Sequence, residues 1–248
     1  MTVHLFPFFE QAALYDLLMI QPWLNNPVSA NTADEWPAGV QDMSISHFLC
    51  PSDVFGGKRF AIDSVPSWTL QNTVTLFKGN YLPVFTGRNE ADLHFELANP
   101  DAAFRSDGSP LGKAVFSPNR GAKIRDINDG TSNTMMVVEY LSGTTTDMRG
   151  WFWSVGPSHN HVYAWITPNS SSPDILGNFT CRDETNLPEM NLPCVVGGPS
   201  TAGSRSRHPG GVNVVLCDGS VHFISDSIDV ILWRALGSID GGELVQVP

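Results

Sequence analysis

Between Val212 and Ser225 the chain reads V-N-V-V-L-C-D-G-S-V-H-F-I-S, two β-branched and aromatic runs hinged on Asp218-Gly219. Asp-Gly between such runs is a strong hairpin signal and predicts a type I′ turn, whose two central residues both need positive φ. After the hairpin, Ser227 stands where it can cap a helix in which Ile228, Ile231, Leu232, Ala235 and Leu236 share one face, and Gly237 ends it. The last forty residues therefore commit to two strands and a helix.

The other elements are read outward from this anchor. At the start, L-F-P-F-F-E-Q-A-A-L-Y-D-L-L predicts an amphipathic helix, with Pro7 in its first turn and Phe6, Phe9, Ala13 and Leu17 at helical spacing. Residues 21–39, rich in Asn, Pro and Ala, read as a loop. Ile45 to Cys50 is a short apolar run stopped by P-S-D. Thr73 to Val84 has strand composition, and residues 86–121 look irregular. Asp129-Gly130 makes a turn from which Thr134 to Leu141 leaves as a strand. R-G-W-F-W-S and H-V-Y-A-W-I predict two further strands. Residues 167–207 form a Pro/Ser/Asn-rich excursion, and a segment that long is functional, disulfide-tied or disordered. The class is α+β: an N-terminal helix, an antiparallel meander, the Asp-Gly hairpin and a short helix, expected as one domain over residues 1–248.

Charge excludes some partners. The formal net charge is −11, with only 14 Lys plus Arg, and these are scattered. A phosphate backbone needs a basic patch to release its counterions, so no nucleic-acid partner is expected, and an anionic membrane surface would repel the chain. No window of about 18 apolar residues exists, so no membrane span is predicted, and no signal peptide is visible.

Of the four cysteines, Cys181 and Cys194 bracket a short polar stretch, and a disulfide there would stabilise the fold by about 3 kcal/mol. The alternative is four free thiols in a reducing compartment. Cys50 and Cys217 could pair or simply be buried, and without a C-x-x-C a structural zinc is disfavoured.

The candidate chemistry is sparse. Asp218 suits a hairpin tip, and His208 precedes Pro209-Gly210-Gly211, so a structural role for both is the plain reading. His159-Asn160-His161 could offer two imidazoles to a metal, with His208 or His222 as a third. Asp126, Asp129 and Glu139, in and after D-I-N-D-G-T-S-N, could supply oxygens to calcium, although an Asx-turn in which these side chains bond their own backbone is the plainer reading. The sequence has no G-x-S-x-G, no P-loop and no G-x-G-x-x-G, so no enzyme is predicted. A hydrolase would need His208 within hydrogen-bond reach of a serine and a carboxylate. Trp151, Phe152, Trp153, Tyr163 and Trp165 could stack on a glycan if exposed, with Trp151 and Trp153 on one strand face, or form core if buried.

His208 and Asp218-Gly219 are separated by nine residues, in R-H-P-G-G-V-N-V-V-L-C-D-G. This resembles the closing signature of the bacterial prepilin-type H-x9-D-G family, domain of unknown function 1559. Phe6 to Gln11 with Leu14-Tyr15-Asp16 resembles its E-Q block. Phe48-Leu49-Cys50-Pro51-Ser52-Asp53 resembles its F-x-C-P-S-D block. Ile127 to Thr134, which contains Asp129, Gly130, Thr131, Ser132 and Asn133, with Glu139 beyond, resembles its I-x-D-G-T-S-N-T…E block, and Asn80-Tyr81 matches an N-Y position.

The resemblance implies a structural, non-catalytic subunit like the major pseudopilins of type II secretion, displayed on a long apolar helix, periplasmic or extracellular. Partners would be pseudopilin-like or envelope proteins, or further copies of itself. Calcium gains some support, because major pseudopilins use it. The sequence opens inside the family's E-Q block. An extracytoplasmic module binding a glycan or solute is the competing expectation.

Overall fold

The computed structural model describes residues 2–19, 42–61, 75–102, 104–109, 111–117, 120–151 and 156–242. Its helices are α1 (Ala12–Met19), α2 (Glu90–Ala98) and α3 (Val230–Leu236). Its strands are β1 (Phe60–Ala61), β2 (Thr75–Leu76), β3 (Tyr81–Phe85), β4 (Phe116–Ser117), β5 (Arg120–Gly121), β6 (Met135–Glu139), β7 (Val162–Tyr163), β8 (Asp174–Leu176), β9 (Cys194–Val196), β10 (Gly211–Leu216) and β11 (Val221–Ser225). The fold is α+β, built on a seven-stranded sheet ordered β11-β10-β6-β3-β4-β5, with β7 also against β3. The sheet is antiparallel from β11 to β3 and again between β4 and β5, while β3 pairs in parallel with β4 and β7, which the expected antiparallel meander did not include.

β10 lies inside the sheet, between β11 and β6, and alternation sets which of its residues are buried. Val212, Val214 and Leu216 point inward and are fully buried, as is Ile224 of β11, whereas Val221 and Phe223 of β11 face solvent. The buried set packs with Met135 and Val138 of β6, Leu82 and Val84 of β3, and Trp233 and Leu236 of α3. The hairpin forms as expected, with a different turn. Gly219 N–H closes on Leu216 C=O (3.0 Å), and Gly219 has φ of +86° while Asp218 is not in the left-handed region. That is the pattern of a tight turn with a glycine bulge rather than type I′. Asp218 serves it by accepting from the Ser220 amide (2.8 Å) and hydroxyl (2.6 Å).

Three helices also differ from expectation. α2 forms within residues 86–121, which read as irregular, because Asn89 caps it by accepting the amides of Ala91 (3.1 Å) and Asp92 (3.3 Å). Asp229, not Ser227, caps α3, accepting from the amides of Ile231 (2.8 Å) and Leu232 (3.2 Å). Ile231, expected on the buried stripe, is exposed, and Trp233 is buried in its place among the core residues. At the N-terminus a 3-10 segment, Thr2–Phe9, is separated from α1 by Glu10 at φ of +60°. Phe6 and Leu14 are buried and Ala13 is exposed, because the break resets the helical phase. The loop expected at 21–39 lies outside the described residues, and so do positions 152–155.

The excursion over 167–207 is ordered. β8 and β9 pair in parallel, and Cys181 and Cys194 form the disulfide. Asp174 and Arg205, both fully buried, pair at 2.9 Å. Arg205 also donates to the carbonyls of Ser170 (2.7 Å) and Ser172 (2.9 Å), and Tyr140 O–H donates to Asp174 (2.9 Å). A buried ion pair needs such extra hydrogen bonds to offset its desolvation. Cys50 and Cys217 remain free thiols.

Candidate functional site

Antiparallel pairing of β6 with β10 sorts the motif residues into two poles. Val214 faces Val138, so the end of β6 lies beside the start of β10, while the turn before β6 lies beside the hairpin tip. A six-residue strand spans roughly 20 Å, so His208 and Asp218 sit at opposite ends.

At the Asp218 pole every motif group braces the chain. The amides of Asp218 and Cys217 donate to Thr131 C=O (3.1 Å) and Thr134 C=O (2.9 Å). Asn133 Nδ2 donates to Asp129 C=O (3.2 Å) and Thr134 Oγ1 to Gly130 C=O (3.0 Å). Gly130, at φ of +93°, supplies the backbone conformation this turn requires. Asp129 accepts the amides of Gly241 (2.8 Å) and Gly242 (2.9 Å), holding the segment after α3. Hydrogen bonds from Ser220, then Ser132, hold the Asp218 carboxyl down at about 2, and burial pushes the Cys217 thiol up to about 11.

At the other pole, Phe48–Asp53 folds as a turn after a short 3-10 segment, with Asp53 N–H on Cys50 C=O (3.1 Å). Pro51 occupies the first position inside that turn, where its fixed φ suits and no amide is required. Asn80, at the kink that ends the run from β2, clamps this turn to the sheet. Its Oδ1 accepts the Cys50 amide (2.9 Å), and its Nδ2 donates to Asp53 (2.6 Å) and to Tyr140 C=O (3.0 Å). Asp53, buried, also accepts the Ser142 amide (3.0 Å) and hydroxyl (2.8 Å) and the Phe55 amide (3.1 Å).

What this clamp positions is a cluster of unlike groups. Cys50 Sγ lies 3.6 Å from Glu139 Oε1 and 3.6 Å from His208 Nε2, and His208 Nε2 lies 3.1 Å from Glu139 Oε1. Ser52 Oγ is 3.0 Å from the sulfur and 3.4 Å from the same nitrogen. Glu139, at the end of β6, is held by the Asn213 amide on Oε2 (2.7 Å). Cys50 and Glu139 are buried and the His208 side chain is 33% exposed, so the cluster opens to solvent on its histidine side, where Ser52 is also exposed. Tyr81 meets the same thiol. Burial first, then the neighbouring Cys50 and Glu139, push its phenol up to about 12. Arg207 turns away, over the Phe55 ring and toward Asp53.

His208 thus has the serine and carboxylate that hydrolase chemistry asks for, but one nitrogen faces both. A nucleophile relay needs the two imidazole nitrogens divided between nucleophile and carboxylate, so the arrangement lacks the relay geometry. Among the described residues it is the one group of three His, Cys, Asp or Glu ligand atoms lying within 4.8 Å of each other.

The calcium set does not assemble. Asp129 lies at the turn before β6 and Glu139 at its far end, roughly 16 Å on at strand rise, too far to share one ion. Asp126 instead accepts the Lys123 amide (3.1 Å). The H-x-H pair is core. His159 meets Thr180 Oγ1 (2.9 Å), and His161 stacks on Phe85 (4.3 Å) and reaches Tyr163 O–H (3.2 Å). Burial pushes His159 down to about 4 and His161 to about 3. Trp151 is also buried, against Phe60 and outside any strand, and the expected alternation with Trp153 lies outside the described residues.

Sequence reasoning singled out Cys50, Ser52, Glu139 and His208 separately, without joining them. The available signal was that three blocks each contribute one thiol, carboxylate or imidazole.

An α+β fold whose motif blocks converge on one sheet is the class these observations define. The chain belongs to the family described as a protein of unknown function (DUF1559), whose model matches residues 1–230. No curated protein matches the chain, and no solved structure does.

Proposed function

We propose that this chain is the displayed globular part of a pseudopilin-like structural subunit of the bacterial cell envelope, in a type II secretion or type IV pilus-like assembly. The carrying observation is how the motif groups are used: Asp53, Asn80, Asp129, Asn133 and Asp218 all spend hydrogen bonds on the chain's own backbone. Residues so engaged hold a surface in shape. The Cys181–Cys194 disulfide favours an oxidising compartment, periplasmic or extracellular. Partners are other pseudopilin-like subunits or further copies.

The test uses the intact gene product in its native host, with protease accessibility in spheroplasts, thiol labelling and in-cell crosslinking. The domain should be cleavable from outside the cytoplasmic membrane, oxidised at Cys181–Cys194, and crosslinked to itself or to pseudopilins. A cytoplasmic, reduced, uncrosslinked chain ends the reading.

One observation favours the second reading, a module binding an anionic solute. A cavity of about 420 Å³ is lined by Phe85, Arg88, Phe104, Arg105, Trp165 and Arg234. Arg88 and Arg105 share the single carboxylate of Asp92, while Arg234 stacks on Trp165 at 3.5 Å and donates to its carbonyl (2.9 Å). Quenching of tryptophan fluorescence by a sugar acid, lost in Arg234→Gln, would support it. Unchanged fluorescence would remove it.

A further inference from the structure

We propose that Cys50, Glu139 and His208 form a zinc(II) site. It goes beyond the scaffold reading and stands whether or not the domain assembles.

The argument begins with which atoms converge. Sγ, Oε1 and Nε2 are three lone-pair donors gathered in one place, at separations of 3.6, 3.6 and 3.1 Å. For a tetrahedral zinc with its usual sulfur, nitrogen and oxygen bond lengths, the corresponding ligand–ligand separations are about 3.6, 3.6 and 3.3 Å. The protein already holds the three corners of a zinc tetrahedron. A hydrogen-bonded trio would not need the sulfur equidistant from both partners, nor the carboxylate and thiol facing a single ring nitrogen.

The donor set selects the metal. A thiolate and an imidazole are too soft for calcium or magnesium, and a single histidine beside the cysteine is one short of the trigonal copper arrangement. A thiolate, an imidazole and a carboxylate suit zinc. The surrounding groups fix the ligands as a metal site requires. Asn213 N–H holds the second oxygen of Glu139, and Asn80 holds the Cys50 backbone. Ser52 Oγ, 3.0 Å from the sulfur and 3.4 Å from the nitrogen, lies beside the trio on its exposed side, where a fourth ligand would enter. There it completes the coordination or holds the water that does. The ion would join three stretches distant in sequence: the turn at 50–53, the end of β6 and the approach to β10.

The test is metal titration of the folded chain, oxidised at Cys181–Cys194, stripped with chelator and followed by calorimetry with zinc chloride. Cobalt(II) serves as the spectroscopic probe. The expected result is one zinc per chain, and a cobalt spectrum with tetrahedral bands and a thiolate-to-metal charge-transfer band. Cys50→Ser should abolish the charge-transfer band, and Cys217→Ser should leave it unchanged. His208→Asn, at a partly exposed position, should keep the melting temperature of the metal-free chain and weaken zinc by more than about 100-fold, the upper end for losing a merely supporting partner. No zinc uptake, cobalt bound octahedrally without sulfur, or uptake indifferent to His208→Asn would each overturn the site.

Discussion

The two poles of the β6–β10 pair use similar residue types for different work. At the Asp218 pole, Asp, Ser, Thr and Asn side chains bond amides and carbonyls of the turn, the hairpin and the segment after α3. Its one thiol, Cys217, is pushed up by burial and, among the described residues, gathers no imidazole or carboxylate cluster around it. At the His208 pole, Asp53 and Asn80 do the bracing, and this frees Cys50, Glu139 and His208 to face one another. The contrast teaches that a motif residue's role follows from whether a neighbour has already satisfied the backbone. Where bracing is delegated, functional groups can be presented.

Acid should test the fold beneath both poles most severely. His159 and His161 have folded values lowered to about 4 and about 3 by burial, so the unfolded chain binds more protons between pH 6.5 and those values. Stability is then full above pH 6.5 and falls as the pH drops, by about 1.4 kcal/mol per pH unit for each histidine. Denaturant unfolding as a function of pH should show this slope, and His159→Gln should remove about half of it. A flat profile over pH 4–6.5 would mean these histidines are not the core groups described.

Next in size is the brace of the His208 pole. Asp53→Ala strands the donors of Asn80 and Ser142 in the interior and should cost about 3–5 kcal/mol by chemical denaturation. A loss under about 1 kcal/mol would undo the claim that bracing is delegated to Asp53. Reducing Cys181–Cys194 should cost about 3 kcal/mol, loosening the excursion that leads to His208. A reduced chain melting with the oxidised one would detach that excursion from the pole.

The smallest effects separate the poles directly. Gly219→Ala, at φ of +86°, should cost about 1–2 kcal/mol at the Asp218 pole. His208→Asn should cost less than about 1 kcal/mol in the metal-free chain, its pair with Glu139 being partly exposed. If His208→Asn proved the more damaging in parallel melts, His208 would be a brace like Asp218 and the comparison would fail.

Much of the fold was legible in the sequence. The hairpin at Asp218-Gly219, the strand leaving Asp129-Gly130 and the Cys181–Cys194 bridge rest on short-range chemistry, and each formed. The misses have specific causes. Asp229 rather than Ser227 caps the last helix, accepting the amides of Ile231 and Leu232 while Ser227 Oγ bonds Ser225 Oγ, a choice between two nearby cap residues that local composition does not rank. Strand order and the parallel β3–β7 pairing depend on residues about eighty apart, which no local pattern encodes. The site was half visible: its members stood out singly, but carboxylates close in sequence were grouped as a calcium set, and a strand's length separates them.

The sequence by itself determined where the chain turns, the caps available, the α+β class and the motif residues, because these follow from φ preferences and side-chain alternation within a few residues. The tertiary structure alone decided which motif residues meet. Antiparallel pairing of β6 with β10 places Glu139 beside His208 and Thr131 beside Asp218, and the Asn80 clamp brings Cys50 to the first pair. Strand register is fixed by the burial of a whole face at once, so it is a property of the assembled sheet and of no single segment.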